Sequence, residues 1–191
     1  MLDLPVSAAW RHVDASDGFE VVFPSPQGDE PRFDGHVTAV EEGQPWALSY
    51  SIALDPAWRS RGARIVSRSA MGTRELELGR DAEGGWLVNG APAPHVGGCD
   101  DIDLEASSFT NAFPVRRLGL APGESAEAPA LYVRAPDLRI ERLDQSYRRL
   151  EDDGSHRRYH YASPAFGYEA VLVYDEFGFI LDYPGIAVRV L

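Results

Sequence analysis

Alternation of bulky and small residues with a period of two is the feature that most limits the fold of this chain. From Trp46 to Leu54 every second residue is large and apolar, and the residues between them are alanine or serine. Successive side chains of a β-strand point to opposite faces, so this segment predicts a strand with one bulky and one smooth face. Leucines and glutamates alternate at 75–78, and alternation resumes at Trp86 after a glycine-rich turn, which predicts a hairpin.

Turn-forming residues divide the chain into short apolar segments. The 14 prolines and 18 glycines place a turn signal about every 8–12 residues, a spacing typical of an all-β barrel, roll or sandwich. Residues 138–150 fit both an amphipathic helix and a pair of strands, and we favour strands. The segment Tyr168–Tyr174 is apolar on both faces, which predicts a central strand covered on both sides. No linker or repeat interrupts the chain, so we expect one domain over 1–191.

Charge and residue usage exclude several classes of protein. The net charge is −12, with −6 on each side of residue 98, which disfavours nucleic acid and anionic membrane surfaces as partners. All 18 basic residues are arginine, so a Schiff-base lysine or a P-loop lysine is excluded. One cysteine excludes an intramolecular disulfide.

The chain contains no pattern that predicts a cofactor, a metal ion or a membrane segment. It has no glycine-rich nucleotide loop and no serine-hydrolase elbow. His156 and His160 are four residues apart, but that spacing binds a metal ion on a helix, and this stretch alternates like a strand. No apolar run approaches the roughly 18 residues that span a bilayer, and no signal peptide is apparent. We therefore expect a cytoplasmic protein without stable membrane insertion; the sequence predicts no oligomeric state.

An acidic run at 100–105 is the first candidate site. In an extended strand Asp101, Asp103 and Glu105 point to one side. Such carboxylates bind a hard cation, accept hydrogen bonds from sugar hydroxyls, or act as an acid–base pair. The alternative is a solvated strand face, because carboxylates are mostly exposed.

Two arginines and a Thr-Asn pair follow the acidic run. Alternation would turn only one of Arg116 and Arg117 inward, where it would need Asp101 or Asp103 as a partner. Such an ion pair either stabilises the fold or holds a ligand with the guanidinium fork. The pair Thr110-Asn111 either contacts sugar hydroxyls or hydrogen-bonds its own backbone in a turn.

Aromatic residues on the predicted strands are the third group of candidates. Rings stack on the apolar faces of sugars and line sites for acyl chains, although most of them will belong to the core. The candidates from this group are Trp46, Tyr50, Trp58, Trp86, Tyr147 and Tyr183.

Short motifs in a fixed order cover nearly the whole chain. They are Trp10, Gly18–Glu20, Trp58–Arg61, Gly97–Arg117, Gln145–Tyr147, Asp175–Gly178 and Tyr183–Gly185. In these motifs the chain resembles the bacterial "putative glycolipid-binding" family, a former domain of unknown function. It departs from that pattern at Ser107-Ser108, where the family is expected to carry Thr-Pro, so no role of a rigid proline turn is transferred.

The resemblance implies an all-β fold, a single long antiparallel sheet wound into a roll or half-open barrel with few or no helices. Its shape would be similar to that of bacterial lipoprotein carriers, and it implies non-catalytic binding of a glycolipid or lipid in an apolar cavity. We expect the acyl part along the bulky apolar face and the head group near Asp101, Asp103, Asn111 and Arg116. The alternatives are a carbohydrate- or lipid-processing hydrolase or isomerase that uses Asp101 and Asp103, and a structural or interaction protein with a solid core.

Overall fold

The structure is a computed structural model, and it describes residues 4–14 and 16–191. Its strands are β1 (Ala8–His12), β2 (Asp17–Pro24), β3 (Arg32–Glu41), β4 (Gln44–Leu54), β5 (Ser60–Ser69), β6 (Gly72–Arg80), β7 (Trp86–Val88), β8 (Ala91–Pro92), β9 (Asp101–Leu104), β10 (Ser125–Glu127), β11 (Ala130–Val133), β12 (Ile140–Leu143), β13 (Ser146–Arg149), β14 (Arg157–Ser163), β15 (Tyr168–Tyr174), β16 (Ile180–Tyr183) and β17 (Ala187–Arg189). The helical segments are α1 (Ala112–Leu118) and three 3₁₀ turns, Pro94–Val96, Phe109–Asn111 and Pro164–Phe166.

Fourteen strands form one long antiparallel sheet in the order β10-β13-β14-β15-β16-β17-β1-β2-β3-β4-β5-β6-β7-β8. The first and last strands of the chain, β1 and β17, pair with each other, so the two halves of the sequence join into one surface. The end strands β10 and β8 do not pair, so the sheet is not closed into a barrel. A second sheet has the order β12-β11-β9, in which β9 and β11 are parallel. The predicted fold class is confirmed.

The alternation that predicted β4 gives it one buried face. Trp46, Leu48, Tyr50, Ile52 and Leu54 are at most 8% exposed, and the residues between them are half-buried. The hairpin of β6 and β7 is confirmed by the pairing of Arg80 with Trp86. The strand interpretation of 138–150 is also confirmed, since this stretch forms β12 and β13.

The prediction that 168–174 is covered on both faces is wrong. In β15 the residues Leu172 and Tyr174 are fully buried, whereas Glu169 is exposed and Val171 is 39% exposed. The strand therefore carries apolar residues on an outer face that no other layer covers.

The strand-like alternation expected at Arg116 and Arg117 is also wrong, because these residues end helix α1. Pro114 lies in the first turn of this helix, where a missing N–H breaks no intrahelical hydrogen bond. Gly119 ends it with a φ of 54°, the left-handed conformation that glycine adopts without steric cost.

Aromatic packing fills the centre of the inner face. The ring of Phe109 lies 4.7 Å from Phe33, 5.3 Å from Phe113 and 5.0 Å from Phe179, measured between centroids. All four are fully buried. The bulky face of β4 is buried in the same core, so it is not open where an acyl chain was expected.

None of the described helices is both long and apolar enough to cross a membrane.

Candidate functional site

A cavity of about 330 Å³ lies beside this packed centre. Its wall comes from β4, from the turn that follows β9, and from strands β14–β16. The volume is at the lower end of the roughly 300–1,000 Å³ typical of small-molecule sites. It suits one sugar ring or a head group of similar size.

Aromatic rings form much of the cavity wall. Trp46, Tyr161, Tyr168 and Tyr183 are among the lining residues. The Tyr183 centroid is 6.1 Å from that of Tyr161 and 5.8 Å from that of Tyr168. Tyr161 donates to Oε1 of Gln145 at 2.8 Å, which fixes the ring at the wall.

Asp103 is the buried carboxylate of the cavity. It is 7% exposed, and its Oδ1 accepts a 2.8 Å hydrogen bond from Thr110 Oγ1. No described residue donates to Oδ2, and no described arginine or histidine forms an ion pair with this carboxylate. Burial raises the pKa of Asp103 to about 6; the hydrogen bond from Thr110 opposes this rise, and the charges of Asp101 and Glu105 add to it.

Asn111 supplies a hydrogen-bond donor to the same cavity. It is 4% exposed, lines the same cavity, and accepts a 2.8 Å hydrogen bond from Tyr147 Oη on its Oδ1. Within the described part of the chain its Nδ2 donates to no partner. The cavity thus has a free acceptor on Asp103 and a free donor on Asn111, in a wall that also carries aromatic rings and serine hydroxyls.

Glu20 supports this wall from behind and was not among the candidates from the sequence. Its side chain is fully buried. Oε1 accepts from Ser107 Oγ and, at 2.7 Å, from Tyr50 Oη. Oε2 accepts from the backbone N–H of Ser108 at 2.8 Å and of Phe109 at 3.3 Å. Ser107 and Ser108 line the cavity, so Glu20 fixes the turn that bounds it.

The sequence contained a signal for Glu20. Alternation in β2 places Glu20 on the same face as Val22, which is fully buried, so the glutamate must also face the core. A carboxylate in that position needs several donors.

Four of the twelve predicted site residues line the cavity: Trp46, Asp103, Asn111 and Tyr183. Two more, Thr110 and Tyr147, stand behind them as hydrogen-bond donors to Asp103 and Asn111. Whether any of these residues contacts a ligand stays a prediction.

Asp101 and Arg117 lie outside the cavity and pair with each other. Arg117 Nη2 is 2.6 Å from Asp101 Oδ2, and its Nε donates to Oδ1 at 3.1 Å. The Asp101 side chain is 1% exposed and that of Arg117 is 11% exposed. The expected pairing of an inward arginine with Asp101 is present, and it anchors α1 to β9. The expected solvated face is not, because Asp101 and Asp103 are both buried.

The remaining candidates also have partners within the fold. Arg116 stacks over the Trp58 ring at 4.0 Å and donates to the carbonyl of Phe177. Trp86 donates to the Cys99 carbonyl at 2.9 Å. Tyr50 is bound to Glu20, so none of these side chains lines the cavity.

Several lining residues were not predicted, chiefly Tyr161, Tyr168 and the pair Ser107-Ser108. His12 is a further one; burial lowers its pKa, and its Nδ1 lies 3.1 Å from Ser16 Oγ. These residues come from separate strands and turns, so no local spacing in the sequence joins them.

Across the described ranges, no three His, Cys, Asp or Glu side chains are grouped so that they could hold a metal ion.

Comparisons with known proteins agree with the resemblance seen in the sequence. A search of curated proteins gave no match. The structure is similar to the crystal structure of a DUF1089 family protein from Pseudomonas aeruginosa, with a TM-score of 0.75 and 37% sequence identity over 90% of this chain and 92% of the other. The family model described as "Putative glycolipid-binding" matches residues 7–189, and the chain therefore belongs to this family.

Proposed function

We propose that this protein binds an amphipathic small molecule of the glycolipid type, with the polar head group in the cavity beside Asp103 and Asn111. The observation that carries the proposal is a free acceptor and a free donor, on residues that are 7% and 4% exposed, in a cavity that aromatic rings help to line. A hydrogen bond to a polar group in so buried a site is worth about 1–3 kcal/mol, so a ligand that supplies both partners gains from each.

Aromatic side chains add a second contribution. Trp46 and Tyr183 lie at the cavity wall, and their ring faces suit the apolar C–H face of a sugar. The match to the family model supports this ligand class without assigning a role to any residue.

The apolar part of the ligand has a different place from the one that the sequence suggested. The bulky face of β4 beyond Trp46 is packed against the core, so an acyl chain would leave through the mouth of the cavity. Phe166 and Ile186 line the cavity, and Phe166 is 46% exposed, so the first methylene groups of a chain would contact these two side chains.

Titration with octyl β-glucoside below its critical micelle concentration tests the proposal. We expect saturable binding, seen by calorimetry and by a change in tryptophan emission, because Trp46 lines the site. Asn111→Ala should weaken binding by about tenfold or more, since one lost hydrogen bond to a buried group is worth about 1–3 kcal/mol. Glu75→Gln, on the exposed surface of β6, is the matched control.

Native mass spectrometry of protein purified from its own host is the independent measurement. Adducts of lipid mass support the proposal. Clean apo-protein, together with no response to octyl glycosides, would remove it.

The alternatives give different results. A hydrolase or isomerase would convert the glycoside, and Asp103→Asn would abolish turnover while binding remained. Its proposed partner Asp101 does not line the cavity and is held by Arg117, so the two carboxylates do not face a common site. A structural or interaction protein would bind no amphiphile at all.

A further inference from the structure

The charges on the cavity wall favour one kind of head group. This inference rests on the proposed function. Three carboxylates line the cavity, those of Glu41, Asp103 and Glu105, and no arginine of the described chain lines it. Arg134 lies 5.2 Å from the rings of Tyr132 and Phe166, two lining residues, but its guanidinium binds Glu105 at 2.8 Å and Glu141 at 2.7 Å, so carboxylates of the protein itself balance its charge.

An anionic head group fits this wall poorly. Sites for phosphate, sulfate or carboxylate use guanidinium forks or clusters of N–H groups, which form strong charge-assisted hydrogen bonds. Here the buried carboxylate Asp103 has no cationic partner among the described residues, so an anion would bring a second negative charge beside it.

A quaternary ammonium group also fits poorly, although aromatic rings and carboxylates are what such cations need. The free groups of the wall include a donor, Asn111 Nδ2. A second donor, Trp46 Nε1, is buried and makes no hydrogen bond to any described residue. A quaternary ammonium has no lone pair to accept from either nitrogen and no hydrogen to donate to Asp103.

A neutral sugar can satisfy Asp103 and Asn111 together. Each hydroxyl both donates and accepts, so adjacent hydroxyls of one ring can donate to Asp103 and accept from Asn111. The C–H face of the same ring remains available for Trp46 and Tyr183.

We propose that the cavity selects an uncharged, polyhydroxylated head group, and that Asp103 sets this selectivity by accepting a hydrogen bond from a sugar hydroxyl and repelling anionic head groups.

Four amphiphiles with the same chain test this selectivity: octyl β-glucoside, octyl β-glucuronide, octyl phosphate and octyltrimethylammonium. Each is titrated as a monomer into the unmodified protein at a pH well above 6, where Asp103 is ionised. We expect the glucoside to bind at least about tenfold more tightly than the other three, a difference of about 1.4 kcal/mol. The glucuronide is the most informative comparison because it differs from the glucoside only at the oxidised carbon.

The variant Asp103→Asn gives a second readout. It replaces the anion with a neutral amide of similar shape, so the preference for glucoside over glucuronide should fall by about tenfold or more. Glu75→Gln should retain the preference, and a urea unfolding curve for each variant establishes that it is folded. The comparison of the four ligands on the unmodified protein does not depend on either variant.

The outcomes separate this inference from the proposed function. Binding of the glucuronide, the phosphate or the ammonium as tightly as the glucoside would overturn the neutral-sugar inference and leave amphiphile binding in place. An unchanged preference in folded Asp103→Asn would remove the role assigned to that residue. No binding of any of the four, together with clean apo-protein from the native host, would overturn both proposals.

Discussion

Glu20 should impose a pH dependence on the stability of this protein. Its carboxylate is fully buried, and four donors surround it, from Tyr50, Ser107, Ser108 and Phe109. Burial raises its pKa from 4.5 to about 7, because loss of hydration penalises the charged form by more than the four hydrogen bonds stabilise it.

The sign of the effect follows from proton binding. Between pH 4.5 and about 7 the folded state holds a proton on Glu20 that the unfolded state has released, so the free energy of unfolding falls as the pH rises. The contribution of Glu20 to the free energy of unfolding is fully present below pH 4.5 and is lost as the pH rises through about 7. At about 1.4 kcal/mol for each pH unit, the total loss is about 3 kcal/mol.

The variant Glu20→Gln should remove this contribution. The backbone N–H groups of Ser108 and Phe109 can only donate, so the amide oxygen must face them. The amide NH₂ then faces Tyr50 and Ser107, whose hydroxyls can rotate to accept. The substitution therefore preserves the shape of the site and removes only the ionisable group.

Urea unfolding followed by tryptophan fluorescence at a series of pH values measures the effect. The difference in unfolding free energy between Glu20→Gln and the unmodified protein should change by about 3 kcal/mol from pH 4.5 to above 7, in favour of the variant. Asp103 titrates in both proteins, so its contribution cancels. Glu75→Gln, whose side chain is 59% exposed, should give a curve parallel to that of the unmodified protein. Parallel curves for Glu20→Gln as well would refute the reasoning.

Three further results are expected. Arg117→Met should destabilise the fold by about 3–5 kcal/mol, because it leaves the buried Asp101 carboxylate without its cation. Urea unfolding measures this loss, and adding Asp101→Asn to the same chain should recover part of it. Gly35→Ala should cost about 1–3 kcal/mol, since a Cβ there would lie 2.1 Å from Cζ of Tyr50, and an unchanged melting temperature would contradict this. Cys99 is 1% exposed and burial raises its pKa, so an aromatic disulfide reagent should react far faster in urea than in the native protein.

The strands could be predicted because their signal is local. In β4 each buried residue is followed by a small one, and this alternation is set by the backbone whatever the strand packs against. Residues 138–150 became two strands because Ala130 to Val133 pairs along β12, a partner that no helical pattern in the segment could reveal.

Helix α1 could not be predicted from strand alternation, which ends with the acidic run. Phe109 and Phe113 are four residues apart and both are fully buried, which is a helical spacing on one face. That spacing predicts a helix with Arg116 and Arg117 in its last turn, where basic residues interact favourably with the C-terminal carbonyls.

The site was harder to predict than the fold because the residues that hydrogen-bond to each other there are distant in the sequence. Ser107 lies 87 residues from Glu20, and Asn111 lies 36 residues from Tyr147. The sequence could show that Asp103 and Asn111 are suited to bind hydroxyl groups. Only the packing of distant strands decides that Asp103 reaches a cavity while Asp101, two residues away on the same strand, meets an arginine.

One short segment connects the solid core to the cavity. Glu20 holds Ser107 and Ser108, and the hydroxyl of Thr110 binds Asp103, so the turn at 106–110 is fixed at both ends before any ligand arrives. A polar wall that is already ordered loses little entropy on binding, which favours affinity from the head group. The alkyl chain, by contrast, finds the bulky face of β4 occupied by the core. On the proposed function, recognition therefore depends on the sugar, and the lipid chain contributes mainly where it leaves the cavity.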